Sequence, residues 1–178
     1  MVWEMMLDYP ACLAWTWLPQ NDGQPYHVDS GGGTAWAVRQ VLWAAWVAAH
    51  PDMGLPLHVA DASQDQLSSL LLAWFWKPVD GQALPSGLNL MVWDFGVNAG
   101  PGRSAMILQK LLGVAVDGDI GPHTLRAVYA NDAAKLCNSL HDAHADYYRA
   151  LPGAASEGGW FSRNDAALAV ALQSMQAT

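Results

Sequence analysis

Apolar residues recur every three or four positions over most of the chain, and polar or glycine-rich clusters interrupt them. Leu13 to Leu18 begin the pattern as part of a first helix that Pro19 ends. A polar, glycine-laden stretch runs from Gln20 to Gly33. Thr34 then reads as the N-cap of a second helix, roughly 35–49, with Trp36, Val38, Leu42, Trp43 and Trp46 on its apolar face. After a break from Pro51 to Pro56, Ser63 and Gln66 have the spacing of a capping box. Leu67, Leu70, Leu71, Trp74 and Phe75 continue that helix until Lys77-Pro78 stops it. From Ser86, the residues Leu88, Met91, Val92 and Phe95 repeat at the same period and end at Asn98-Ala99-Gly100, where Pro101 opens the next helix at its first position. Leu108, Leu111 and Leu112 carry that helix to Gly113, and a turn over Asp117 to Pro122 leads to a short helix beginning at Thr124. Helices over about 132–150 and 160–176 complete the chain. Alternation of the kind a strand needs is confined to Gly113–Val116. The expected fold class is therefore all-α, or α with minimal β.

Length and composition narrow this further. With 178 residues, the chain can bury one good core, or one core with a small helical appendage, but not two full-sized domains. A hydrophobic share of 52% against 13% charged residues points to a packed protein rather than a disordered one. Arg39, Gln40 and His50 interrupt the richest apolar stretch, so no run reaches the roughly 18 residues of a membrane span. Glu4, Asp8 and Pro10 break what would be the apolar region of a secretory signal, and none is expected. A net charge of -8 with scattered cations disfavours nucleic acid as a partner. Cys12 and Cys137 lie far apart without metal-ligand spacing, which favours a reduced, buried pair over a disulfide. His141 and His144 flank Asp142 on one helix with no third ligand in sight, and read as a solvated face rather than a metal site.

The chemistry-bearing stretches come in a fixed order. Asp117-Gly118-Asp119-Ile120-Gly121-Pro122-His123-Thr124-Leu125, preceded by Leu108-Gln109 and Leu111-Leu112-Gly113, resembles the helical peptidoglycan-binding repeat. Physically it is a tight turn with a Pro-opened helix behind it, which a purely structural role also explains. Trp93-Asp94-Phe95-Gly96-Val97-Asn98-Ala99-Gly100 precedes it and Gly159-Trp160-Phe161-Ser162-Arg163-Asn164 follows. Together these resemble glycoside hydrolase family 108, the lysozyme-like N-acetylmuramidases also described as secretion-activating proteins. The resemblance extends from the N-terminal loop to Arg163. It implies a lysozyme-like helical fold, with an N-terminal catalytic part over 1–85 and a peptidoglycan-binding-like part over 86–178, packed as one body. It also implies hydrolysis of the bacterial glycan strand without metal or organic cofactor. The chain would then be a monomer with peptidoglycan as its partner and no membrane insertion. An endolysin of phage or prophage origin, held in the cytoplasm until a partner pore releases it to the wall, fits the missing signal peptide.

The family's N-terminal signature is a Glu-Gly-Gly-Tyr-like element, a spacer, and then Asp-Pro-Gly-Gly-X-Thr-X-X-Gly-Ile. Asp29-Ser30-Gly31-Gly32-Gly33-Thr34-Ala35-Trp36-Ala37-Val38 resembles the second part, with Ser30 for Pro, Ala37 for Gly and Val38 for Ile. Counting back over the usual spacer puts Gln20 where the family has its catalytic glutamate, although Tyr26 keeps the aromatic place if the loop is rearranged. The whole chain has two glutamates, Glu4 and Glu157, and neither is near. Glycosidic cleavage needs a proton on the leaving oxygen, which a carboxylic acid delivers and a carboxamide cannot. Gln20 would keep the pocket's shape and remove the acid, as in a binding-only descendant or an inactivated variant. The alternative is a shifted alignment in which Asp22 or Asp29 is the acid. Asp29 also qualifies as a second carboxylate beside the sugar ring, and equally as a turn-forming residue. The candidate catalytic set is thus Gln20, Asp29 and Asp22, and the candidate substrate contacts are Tyr26, His27, Thr34, Trp36, Asp94 and Asn98.

Overall fold

The computed structural model describes residues 7–21, 23–29, 32–152 and 158–176. Among these, eight α-helices and a three-stranded antiparallel sheet form, so the mostly helical class is as expected. The chain divides into two compact units, Leu13–Trp74 and Met1–Cys12 with Phe75–Thr178.

The first unit contains the end of α1 (Tyr9–Thr16), the sheet, α2 (Gln40–Ala49) and α3 (Gln64–Leu71). Its core gathers Trp43, Trp46, Leu67, Leu70 and Leu71, which recur at helical spacing in sequence, together with Val59 from a 3-10 turn. The Ser63–Gln66 capping box is present in full: the Ser63 hydroxyl accepts the Gln66 N–H, and the Gln66 carboxamide accepts the Ser63 N–H. Past Leu71 the helix widens into a π-type turn over Leu72–Trp76 and tightens into a 3-10 turn over Lys77–Val79. Pro78 accounts for the change, because it has no N–H to donate to the Trp74 carbonyl four residues back and its ring crowds that carbonyl.

Residues 27–39 differ from expectation. Thr34 does not cap a helix. It lies in β2 (Gly32–Ala35), between β1 (His27–Asp29) and β3 (Val38–Arg39), and α2 begins only at Gln40, with no side-chain cap from Arg39. The helix-like spacing of Trp36 and Val38 is produced by a two-residue turn, Trp36-Ala37, whose φ values of 48° and 70° are both left-handed. That is the geometry of a tight hairpin between right-twisted strands. Gly113–Val116, where alternation suggested a strand, is instead a helix ending: Gly113 is the left-handed cap of α5 (Pro101–Leu112), and the Val114 N–H donates back to the Gln109 carbonyl.

The second unit is built around α4 (Leu88–Ala99). Every residue from Leu88 to Gly96 is buried, so this helix is enclosed on all sides. It packs against α5, α7 (Ala133–Arg149) and α8 (Gly158–Gln176), and α6 (Pro122–Tyr129) packs on α5. Three hydrogen bonds fasten the segment Leu7–Cys12, two of them to α4 and one to Ser86 just before it. The Leu7 N–H donates to the Ser86 hydroxyl at 2.9 Å, the Asn89 carboxamide to the Leu7 carbonyl at 2.5 Å, and the Trp93 indole to the Cys12 carbonyl at 3.1 Å. Cys12 and Cys137 are both buried thiols in this unit, and burial pushes the Cys137 thiol up to about 12.

Candidate active site

The segment carrying Gln20 is a turn folded back onto the end of α1. The N–H groups of Asn21 and Gly23 both donate to the Leu18 carbonyl, at 2.9 and 3.1 Å. The Asn21 carboxamide donates to the Trp15 carbonyl at 2.7 Å. These three donors satisfy carbonyls that a helix end leaves unpaired. Gly23 sits so close to this end that a Cβ there would fall 1.8 Å from the Trp17 carbonyl oxygen. No other residue fits that place. Between these anchors the Gln20 side chain is exposed and makes no hydrogen bond among the described residues.

The hairpin supplies the neighbouring surface. His27 pairs with Thr34 and Asp29 with Gly32 across β1 and β2, while Thr34 pairs with Arg39 across β2 and β3. Trp36 ties the sheet to the α1 end. Its N–H donates to the Gln24 carbonyl at 2.9 Å, its carbonyl accepts the Trp17 indole at 2.9 Å, and the two rings meet edge to face at 5.8 Å. Half-exposed Tyr26 lies over Gly33, where a Cβ would come within 2.7 Å of the phenol oxygen. A side chain at the third glycine of the run would push the Tyr26 ring aside. His27 is partly exposed, but its Nδ1 is shut off from solvent without a hydrogen-bond partner. Thr34 is buried.

Tyr26, His27, Thr34 and Trp36 thus share one hairpin, and the Gln20 turn is joined to it through Trp17 and Gln24. Asp22, Ser30 and Gly31 lie outside the described residues, and so does the side chain of Asp29, whose backbone alone is placed in β1.

Asp94 and Asn98 belong to the other unit. Asp94 is 4% exposed, and its Oδ1 accepts the Nε–H and an Nη–H of Arg163 at 2.9 and 2.8 Å. Asn98 donates to the Asp94 carbonyl at 2.9 Å. The pair explains why the Trp93-Asp94-Phe95 and Ser162-Arg163-Asn164 stretches occur together: a buried carboxylate and a buried guanidinium each require the other. Phe95 stacks flat on His144 with ring centres 3.9 Å apart.

His144 is the residue that the sequence reading misplaced. It is 1% exposed rather than solvated, and desolvation pulls its imidazole down to about 4. Leu136, Leu140, His144 and Tyr148 follow one another at intervals of four residues, so the stripe that marks the core of α7 includes His144. His141 is the partner of carboxylates on both sides, with Nε2 2.7 Å from Asp165 and Nδ1 3.1 Å from Asp142. Desolvation is its largest single influence and acts downward, but the hydrogen bonds and charges of Asp165 and Asp142 together raise it. Among the described residues no three His, Cys, Asp or Glu side chains converge as a metal site.

A second organised turn joins α5 to α6. Gln109 is completely buried and holds it from inside. Its amide donates to the Asp117 carboxylate at 2.6 Å and the Asp119 carbonyl at 2.8 Å, and its oxygen accepts the Gly118 N–H at 2.8 Å. The Asp119 N–H, followed by the Gln109 amide, lowers the Asp117 carboxyl below its ordinary value.

Residues 23–100 match the family model described as glycosyl hydrolase 108, and residues 103–165 match one described as a predicted peptidoglycan domain. Over those spans the chain is similar to the glycosyl hydrolase 108 family and to that peptidoglycan domain. The solved structure of SagA from Brucella abortus superposes with a TM-score of 0.78 at 28% identity, over 92% of this chain and 90% of that one. No curated protein matches the chain significantly. The family-model and structural likenesses together support a peptidoglycan-related hydrolase. The glycosyl hydrolase 108 match opens at Gly23, three residues after Gln20, and includes the hairpin, Asp94 and Asn98. No helix among the described residues is long and apolar enough to cross a membrane.

Proposed function

We propose that the chain carries an N-acetylmuramidase-type site for the bacterial glycan strand in which residue 20 stands at the proton-donor position, so that with Gln20 it grips glycan without cleaving it. The observation that carries this reading is the turn itself. Asn21 and Gly23 lock it to α1, yet the side chain they present is an exposed carboxamide with no internal bond to make. A firmly held turn offering an uncommitted polar group suits chemistry on a ligand better than stability. Tyr26 and Trp36 supply aromatic surface beside it, the type of surface that sugar rings contact.

A carboxamide has no proton to give near neutral pH, and a positioned acid is worth about 10²–10⁴-fold in rate. Turbidity loss of purified cell walls, with co-pelleting measured in parallel, tests the reading. The chain as it stands should pellet with walls and leave them turbid, and Gln20→Glu should pellet equally and clear them. Lysis by the unaltered chain would move the acid to Asp22 or Asp29. A silent Gln20→Glu that still pellets would make this a wall-binding or assembly protein and overturn the role of position 20.

A further inference from the structure

Trp46 differs from three other indoles of the chain. Trp17, Trp43 and Trp93 each donate Nε1–H to a carbonyl, those of Trp36, Pro56 and Cys12. The Trp46 Nε1–H is closed to water and has no partner. A buried donor left unpaired is costly, and in a native protein it calls for an explanation. The Trp46 ring is held in place by His50 at 3.9 Å and by Trp74 edge-on at 5.3 Å. It lines a pocket of about 130 Å³ together with Met53, Leu55, Asp65, Gln66 and Ser69.

Gln66 is committed to the capping box and the Ser69 hydroxyl to the Asp65 carbonyl, and the other four lining residues offer three kinds of group. Met53 and Leu55 give an apolar wall. Asp65, in the first turn of α3, is exposed; its carbonyl accepts the Ser69 hydroxyl at 2.9 Å, and its carboxylate makes no ion pair or hydrogen bond among the described residues. Trp46 adds a donor in need of an acceptor. A methyl, a carbonyl oxygen and an N–H, all on one small planar group, answer these three in turn. Met53 is 55% exposed, and its unbranched side chain has the freedom to shift and admit a group to the indole.

We propose that this pocket binds the acetamido group of an N-acetylated amino sugar, as an accessory glycan site separate from the Gln20 hairpin. The carbonyl accepts the Trp46 Nε1–H, the amide N–H donates to the Asp65 carboxylate, and the methyl rests on Met53 and Leu55. A volume near 130 Å³ has room for one such substituent. The choice of a sugar rests on the glycan reading above, whereas the demand for an amide does not.

The test is a titration of the ¹⁵N-labelled chain, following the Trp46 indole N–H, which is assigned by its loss in Trp46→Phe. N-acetylglucosamine should shift this resonance downfield and saturate. Glucosamine and glucose, which lack the acetyl group, should leave it in place. Asp65→Ala should weaken N-acetylglucosamine binding about ten-fold, the loss expected for a hydrogen bond to a charged group. A static resonance, an equal response to glucose, or unchanged affinity in Asp65→Ala would overturn the proposal. Movement with D-alanyl-D-alanine but not with the sugar would overturn it in favour of the stem peptide. No bond is cleaved in this titration, so a silent Gln20→Glu leaves its result standing.

Discussion

His144 makes stability depend on acid in a calculable way. The ring is 1% exposed, stacked on Phe95, with Nε2 lacking a partner. Desolvation is the dominant influence. The Asn164 side-chain hydrogen bond and the Asp94 charge act upward, His141 acts downward, and the balance is about 4 against an ordinary 6.5. A group whose folded value is depressed binds its proton more readily when the chain is unfolded. Stability therefore falls with falling pH from about 6.5, and the loss is complete below about 4. A gap of about 2.5 units at ~1.36 kcal/mol each amounts to about 3 kcal/mol. His141 has the opposite sign: its raised value contributes stability that is present at low pH and lost as pH rises through it. The clean quantity is thus the difference between the native chain and His144→Leu, in which His141 and its carboxylates are retained. Urea unfolding from pH 7 to pH 4 should show that difference shifting by about 3 kcal/mol against the native chain. The imidazole proton resonance should titrate near 4. A difference that stays flat with pH, or a resonance that titrates near 6.5, would refute the assignment of His144 as a buried neutral ring.

Two other perturbations test the turns. Ala37→Gly relieves a left-handed non-glycine residue, worth about 1–2 kcal/mol, against a gain in unfolded-state freedom of about 0.4–1 kcal/mol. A net stabilisation of about 0.5–1 kcal/mol should appear as a higher urea midpoint, and a lower midpoint would contradict the hairpin geometry. Gln109→Leu removes the partner shared by Asp117, Gly118 and Asp119. It should cost about 3 kcal/mol in urea unfolding and let the Asp117 carboxyl climb back towards its ordinary value in a carbon-detected NMR titration.

Helices with a long apolar stripe and a marked end were legible before any coordinates. The Ser63 capping box, Pro101 at the start of α5 and Gly113 at its end all act through local bonds that sequence spacing encodes. The hairpin was not legible, because its strands have three, four and two residues. Over such lengths alternation cannot be told from helical spacing. The deciding feature, left-handed backbone at Trp36 and Ala37, falls on residue types that rarely adopt it. His144 was lost for another reason. An imidazole is polar enough to read as surface, and only its place on the Leu136–Leu140–Tyr148 stripe marks it as core. For the candidate site, sequence spacing singled out Gln20, Tyr26, His27 and Trp36 but gave no sign that Trp36 links the sheet to α1.

The Gln20 turn separates two demands that an active site usually makes of the same residues. Its shape is fixed by Asn21, whose carboxamide caps Trp15, and by Gly23, whose missing side chain lets the backbone rest on Trp17. Neither contact involves the side chain at position 20. The residue there is therefore free to change between acid and amide without disturbing α1 or the hairpin, since surface substitutions away from such features usually stay within about 0.5 kcal/mol. On the proposed role of position 20, loss of the acid would leave a folded surface behind. That independence is what makes Gln20→Glu a decisive substitution: whatever it changes in lysis is a change in chemistry, because the scaffold around it has no stake in the exchange.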